Sequence, residues 1–333
     1  MKNRHESKIY SLLLLTLLLI ISQAGSALGE NQMDTSLAPA EMLDIADQIF
    51  HTRDYLEARD LYIETAEHAD LHGDSSVLTE AVAMIGRTYL ITGKLAECDL
   101  LLKRAKRTTD PDSPLGWSRY LGVRGRFEWQ ENRLEDARQT FNEMYEYCLK
   151  KGLHERAIDA THMMAIVEDL EGQVRWGLKG IKAAEKGQVT QWLGPLWNNL
   201  GATYEDLENY DKALEAYKKA REYHYEHGDE TNRLIADWAV GHAYRLKGDY
   251  RQARKWLEPL LQWSEQIGNH EFFGWTNREL GLMELDNGKY VRAVEYLVQA
   301  KNGLKQAGMP EWDPDGYREL IDLLVETKIK ADR

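Results

Sequence analysis

The chain repeats one spacing of small and large residues seven times, and this periodicity limits the folds open to it. A small residue opens each copy, another follows twelve positions later, and a large apolar residue lies four positions beyond that. The opening residues are Ala46, Gly86, Gly125, Ala165, Gly201, Gly241 and Gly281, and their partners are Ala58, Cys98, Ala137, Gly177, Ala213, Ala253 and Ala293. Successive opening residues lie 40, 39, 40, 36, 40 and 40 positions apart. Such a period is typical of stacked supersecondary units.

Each copy predicts two amphipathic helices joined by a tight turn. Apolar residues recur at intervals of three and four on both sides of a tetrapeptide rich in turn formers. The seven tetrapeptides are TRDY, TGKL, ENRL, EGQV, LENY, KGDY and NGKY. Where two helices cross closely, only a small side chain fits between the backbones, and the large residue fills the groove beside the crossing. Because one pair cannot bury its own apolar face, the pairs must stack.

This pattern resembles the tetratricopeptide repeat over roughly residues 39–305. The fullest copy contains Trp197, Leu200, Gly201, Tyr204, Tyr210, Ala213, Tyr217 and Ala220. The period near 40, longer than the usual 34, resembles the long-helix branch of the family. The resemblance implies an all-α fold, a right-handed α-solenoid of about seven helix–turn–helix units. An amphipathic segment over residues 317–330 predicts a C-terminal helix that caps the stack.

The N-terminus predicts a secretory signal peptide over residues 1–29. Lys2, Arg4 and Lys8 precede an apolar run over residues 12–21, and small residues follow from Ala24 to Gly29, which is the order of such a segment. The run is shorter than the roughly 20 residues that span a bilayer. We expect an exported protein, periplasmic or secreted, with no stable membrane span after cleavage; an uncleaved anchor is the alternative.

The remaining chain is divided by prediction into three parts. These are a disordered linker over residues 30–38, the repeat array over 39–309, and the capping helix and tail over 310–333.

Acidity excludes two classes of partner. The formal net charge is −13 at pH 7, and residues 1–29 hold three Lys or Arg and one Glu, so removing their net +2 leaves −15. A chain of this charge repels nucleic acid and anionic lipid. The partner that we expect is therefore another protein or a peptide.

Neither the cysteines nor the paired histidines predict a bridging site. Cys98 and Cys148 stand eleven residues out of register on neighbouring predicted helices, which corresponds to an offset of about 16 Å. Because this distance is too long for a disulfide, we interpret both cysteines as buried small hydrophobes. The closely spaced histidine pairs are His68 with His72 and His224 with His227. Each pair offers two ligands, fewer than a metal site needs. We expect no metal and no cofactor.

Glutamate replaces tyrosine on the first helix of three copies, at Glu128, Glu168 and Glu284. We interpret these acids as partners of polar groups on neighbouring helices. Arg124, one turn before Glu128, can pair with it.

The family resemblance also implies where a partner binds. In tetratricopeptide arrays the first helix of each unit lines the concave groove. The side chains that line it lie three positions before the opening residue and one and four positions after it. With one tryptophan a turn earlier, these positions are Arg87, Arg126, Trp129, His162, Asn198, Glu205, Trp238, His242, Arg245, Trp275, Arg278 and Leu285. Arg and Trp are frequent energetic anchors of interfaces, and the Arg fork matches carboxylates. We expect a groove for an acidic peptide segment, and charge reversal at Arg245 and Arg278 is predicted to abolish its capture.

The carboxylate clamp of some family members is not recognisable here. Asn198 is followed at equivalent positions by Trp238 and Arg278, and the clamp lysines are absent.

The leading hypothesis is a non-catalytic scaffold of the cell envelope or exterior. The chain contains no GxSxG, GxxxxGK[ST], HExxH or CxxC motif. A second hypothesis is a sensor of glycans or small ligands, whose tryptophans stack on sugar rings. A third is an enzyme that uses Glu and His on the groove wall, such as Glu168 with His162.

Overall fold

A computed structural model describes residues 37–333, and this part of the chain is helical with no β-strand. It divides into two compact units, one ending at Val189 and one formed by Thr190–Arg333. The predicted signal peptide, and the linker up to residue 36, lie outside the described residues. Within 37–333, no helix combines the length and the apolar character that crossing a membrane requires.

The first unit contains four helix pairs. Its helices are α1 (Pro39–His51), α2 (Tyr55–His72), α3 (Ser75–Ile91), α4 (Leu95–Thr108), α5 (Pro114–Gln130), α6 (Leu134–Lys151), α7 (His154–Val167) and α8 (Leu170–Gly187). Each helix packs against the next in sequence, and α3 also packs against α5. This is the stacking that the repeat predicts.

The second unit contains three more pairs and the cap. A 3₁₀ helix (Thr190–Trp192) precedes α9 (Leu193–Asp206), α10 (Tyr210–His227), α11 (Glu230–Leu246), α12 (Tyr250–Gln266), α13 (His270–Asp286), α14 (Tyr290–Gln306), α15 (Met309–Trp312) and α16 (Pro314–Ala331). Helix α16 packs against α14 and buries Leu320 and Leu324. The predicted α-solenoid of seven pairs with a final helix is confirmed.

Small residues at the crossings have the predicted steric role. A Cβ atom built on Gly125 would lie 2.5 Å from Cε1 of Phe141, and one on Gly201 would lie 2.6 Å from Cε1 of Tyr217. Real Cβ contacts are never this short, so the glycines allow the rings to pack directly on the backbone. The ring of each pair is fully buried.

The fourth pair departs from the predicted register. Helix α7 has 14 residues, whereas α3 and α5 have 17 each. The turn falls at Glu168 and Asp169, so the predicted turn EGQV lies inside α8. Ala165 and Gly177 are only half-buried, and the fully buried residue at the crossing is Thr161, 36 positions after Gly125. The sequence-based register of this pair was wrong by one helical turn.

Two polar contacts explain the early end of α7. Arg138 of α6 donates from Nε and Nη2 to the carbonyl oxygen of Val167, at 3.0 and 2.7 Å. Asp169 accepts from the backbone N–H of Gly172 at 2.7 Å and starts α8. The carbonyl that would continue α7 is therefore already occupied, and the next helix begins at once.

Cys98 and Cys148 are free thiols with fully buried side chains. Burial raises the pKa of each thiol to about 12. Their interpretation as small hydrophobes is confirmed.

Candidate functional site

The residues proposed for partner contact lie on the first helices of the pairs. We call the side formed by these helices the first-helix face: α1, α3, α5 and α7 in the first unit, and α9, α11 and α13 in the second. We call the small buried residue of each first helix its crossing residue. In the helices discussed below, the crossing residues are Gly86, Gly125, Thr161, Gly201, Gly241 and Gly281. With Thr161 as reference, His162 occupies the same position as Arg87 and Arg126, directly after the crossing residue.

In the second unit, His242 lies between two carboxylates. Its Nε2 donates to Oε1 of Glu205 at 2.7 Å, and its Nδ1 donates to Oε2 of Glu279 at 2.8 Å. Burial disfavours the charged ring, but the two glutamates outweigh it and raise the pKa of His242 to about 9. The ring is therefore a cation at neutral pH with both N–H groups engaged. It has no lone pair with which to act as a general base.

Two arginines and a tyrosine complete this cluster. Arg245 donates from Nε to Oε2 of Glu279, and Nη1 of Arg278 lies 3.3 Å from Oε1 of the same carboxylate. The Tyr217 hydroxyl donates to Oε2 of Glu205 at 2.8 Å. Burial opposes ionisation of Glu279, but Arg245 and His242 hold its pKa far below the usual range. We call Glu205, Tyr217, His242, Arg245, Arg278 and Glu279 the His242 network.

Five of the residues at the proposed contact positions in the second unit are buried. Trp238 stacks on the His242 ring, with centroids 4.6 Å apart and an angle of 12° between the planes. The exposed fractions are 5% for Trp238, 8% for Trp275, 4% for His242 and 5% for Asn198. Glu205 is buried as well. The structure thus assigns these side chains to packing and to the network, and Leu285 is half-buried.

In the first unit, three positively charged or imidazole side chains share one position on successive helices. Arg126 donates from Nη2 to Oδ1 of Asp159 and from Nη1 to the carbonyl oxygen of Gly122 at 3.1 Å. Burial opposes ionisation of Asp159, but Arg126 lowers the pKa of that carboxyl to about 2. Burial lowers the pKa of His162, so this imidazole is neutral at pH 7.

Arg87 differs from Arg126. Within residues 37–333, no carboxylate lies within ion-pair distance of its guanidinium. Burial and the like charge of Arg126 lower the pKa of Arg87 to about 9. Trp129, on α5, is 37% exposed. Of the predicted contact residues, all of which lie within 37–333, Trp129 is the exposed one, and Arg87 is half-buried.

A second ionic cluster joins the first helices of the first unit. Arg119 donates to Oδ1 and Oδ2 of Asp47 at 3.1 and 2.5 Å, and its Nε donates to Oε2 of Glu80 at 3.2 Å. Arg156 reaches the same Glu80 oxygen at 2.7 Å. Neither this cluster nor the role of Glu279 was predicted from the sequence. The sequence feature that could have indicated the cluster is an acid on one first helix followed by arginines on later first helices, 39 and 76 residues further along the chain.

Two of the three first-helix glutamates have the predicted structural role. Glu128 accepts from Arg124 at 2.7 Å and from the Thr140 hydroxyl at 2.6 Å. Glu284, fully buried, accepts from Arg254.

The third, Glu168, lies in the turn after α7 and is 3.9 Å from Arg175. The structure thus gives it an arginine partner, whereas the enzyme hypothesis required His162. Among residues 37–333, no group of three or more His, Cys, Asp or Glu is arranged to hold a metal.

A family comparison recognises one of the helix pairs. Residues 195–224, which include most of α9 and most of α10, match the family model of the tetratricopeptide repeat. This pair is thus similar in sequence to a tetratricopeptide repeat. One of the solved structures with a similar fold also contains this repeat. No curated protein matches the chain.

Solved structures resemble the fold at low sequence identity. RapI, without ligand, has a TM-score of 0.67 and 14% identity, with 86% of this chain and 85% of that chain covered. Aspartyl phosphate phosphatase F from Bacillus subtilis has a TM-score of 0.53 and 14% identity, with 92% and 88% covered. A STAND ATPase with a tetratricopeptide repeat sensor from Pyrococcus horikoshii has a TM-score of 0.65 and 16% identity. This chain covers 44% of that protein, and 88% of this chain is matched. At these identities the likeness concerns the fold.

Proposed function

We propose that the protein is a non-catalytic scaffold that binds a peptide or protein segment on its first-helix faces. The observation that carries this proposal is the state of Arg87 and Trp129 on neighbouring helices of the first unit. One is a cation with no carboxylate within ion-pair distance among the described residues, and the other is a large aromatic side chain that is 37% exposed. Both residue types are frequent anchors of protein interfaces.

The electrostatics of the second unit support a binding function over catalysis. A catalytic base needs a free lone pair near a reacting atom, and both nitrogens of His242 are occupied. A fold neighbour supports this proposal, since it is described as an ATPase with a tetratricopeptide repeat sensor, and this chain covers 44% of it. The setting that we propose is the cell envelope or exterior, on the basis of the signal-like N-terminus.

The glycan-sensor alternative has less support. Stacking on a sugar requires an open aromatic face, whereas Trp238 is covered by His242 and Trp275 is 8% exposed. Trp129 alone among the three proposed tryptophans is exposed enough to stack.

The test is selection of peptides by the full chain from a displayed library of random segments. Selected peptides are then measured against the variant Trp129→Ala and the control Leu71→Ala, whose side chain is 83% exposed on the second helix α2. We expect Trp129→Ala to weaken binding at least about tenfold, as loss of an anchor does. Leu71→Ala should bind like the wild type. The proposal fails if no peptide is selected, or if Trp129→Ala binds as tightly as Leu71→Ala.

A further inference from the structure

A positional rule links cations and acids on successive first helices. The cation directly after one crossing residue pairs with an acid two positions before the crossing residue of the next first helix. His242 follows Gly241 and binds Glu279, which lies two positions before Gly281, at 2.8 Å. Arg126 follows Gly125 and binds Asp159, two positions before Thr161. One pair lies in each unit, so the rule describes the repeat geometry.

Arg87 breaks this rule. It follows Gly86, and the residue two positions before the next crossing residue is Val123, which is 2% exposed. An apolar side chain therefore occupies the position of the acid. The cation itself is retained, and its surroundings contain the positive charge of Arg126 on α5 and the negative charge of Asp159 on α7. Arg87 is half-buried, and partial burial of a cation with no carboxylate within ion-pair distance costs stability, a cost that the carboxylate of a bound partner would offset.

We propose that Arg87, together with Arg126, receives one carboxylate of an acidic partner segment, which supplies the counter-ion that Val123 does not. This inference rests on the proposed function and identifies the chemistry of the partner. The local charges favour a monoanion: two arginines and one Asp159 leave a net single positive charge beside a neutral His162. A phosphate dianion would exceed that charge and meet Asp159.

The acidic group of the partner is therefore recognised in the first unit, whereas the sequence had pointed to Arg245 and Arg278 in the second. In the second unit, Arg245 and Arg278 share the buried carboxylate of Glu279. Reversing their charges would leave Glu279 with His242 as its one cationic partner in the network, would place two further negative charges beside it, and would disturb the fold. Loss of capture in such a variant would report on structure and would carry no information about the partner.

The experiment follows the arginine Nε–Hε resonances of the isotopically labelled full chain. The probe is N-acetylglutamate amide, with the neutral N-acetylglutamine amide as its control and phosphoserine amide as the second anion. We expect a saturable shift of the Arg87 resonance with the glutamate probe, no saturable shift with the glutamine probe, and weaker binding of the phosphate. The Arg245 resonance should not shift, because its Nε donates to Glu279.

Two variants sharpen the test. Val123→Asp places an acid at the position the rule specifies, and it should reduce glutamate binding at least tenfold by neutralising Arg87. Arg87→Gln should abolish glutamate-dependent shifts at Arg126, which keeps the test open if Val123→Asp does not fold. The inference is overturned if Arg87 shows no saturable shift, if the glutamine probe acts equally, or if phosphoserine amide binds more tightly than the glutamate probe.

The outcome separates this inference from the proposed function. Peptides selected by the wild type and equally by Arg87→Gln, with the same enrichment of Asp and Glu, would remove the carboxylate subsite and leave the scaffold. Binding of the glutamate probe at Arg87 without any selected peptide would retain the subsite and remove the scaffold.

Discussion

Single atoms decide which crossings accept only glycine. At Gly125 and Gly201 an added Cβ would meet an aromatic ring at 2.5 and 2.6 Å. At Gly86 the nearest atom is Cβ of Leu101, at 3.5 Å, which is ordinary contact. The repeat thus places glycine at positions of two kinds, although the sequence pattern treats them alike.

Alanine substitution should separate the two kinds of crossing. We expect Gly125→Ala and Gly201→Ala each to lower the free energy of unfolding by about 1–3 kcal/mol, because the ring must move away from the backbone. Gly86→Ala should be neutral or raise it by up to about 1 kcal/mol, since alanine favours helix and has room. Denaturant unfolding of the three variants measures the differences. A loss of stability in Gly86→Ala equal to the others would contradict the steric account.

Among the helices, α7 shows how a tertiary contact overrides a local pattern. The spacing of small residues fits Ala165 and Gly177, yet the helix ends before the predicted turn. Arg138 on the preceding helix takes the Val167 carbonyl with two hydrogen bonds. The end of the helix is thus fixed by a side chain 29 residues away.

Removing this contact should loosen the end of α7. We expect Arg138→Ala to cost about 1 kcal/mol, the net value of hydrogen bonds from a partly exposed charged group. Amide hydrogen exchange should become faster over the last turn of α7. The control is Arg104→Ala on the exposed side of α4, for which we expect a change within about 0.5 kcal/mol. Unchanged exchange at α7 in Arg138→Ala would show that Asp169 alone ends the helix.

The sequence predicted most of the helices and few of the contacts between them. Helix pairs follow from apolar spacing and small residues, which act locally, so six of the seven pairs were placed in the correct register. The exposure of each candidate side chain depends on partners in other pairs. His242 was identified as a groove residue, but its burial follows from Glu279, which occupies a position that the groove pattern does not include.

On the scale of the molecule, each unit contains an ionic cluster that joins its first helices. In the first unit Asp47, Glu80, Arg119 and Arg156 connect α1, α3, α5 and α7. In the second, the His242 network connects α9, α11 and α13. Helix stacks held mainly by apolar contacts between nearest neighbours can unfold in parts. A cluster that spans three or four helices makes their unfolding cooperative. Because each cluster lies within one unit, we expect this cooperativity within each unit.

The coupling in the second unit should depend on pH through His242. Its pKa in the folded state, about 9, exceeds the value near 6.5 of an unfolded histidine. The stabilisation is therefore fully present below pH 6.5 and is lost as the pH rises towards 9, by up to about 3 kcal/mol.

His242→Gln removes the titrating group and leaves Glu205 and Glu279 with one cation fewer. We expect this variant to be less stable than the wild type at pH 6, and the difference to shrink steadily between pH 6.5 and 9. Denaturant unfolding across this range measures it, with the exposed His72→Gln as a control whose difference from the wild type should stay small throughout. A difference for His242→Gln that is constant with pH would mean that the ring is neutral in the folded protein and that His242 contributes to the network through hydrogen bonds alone.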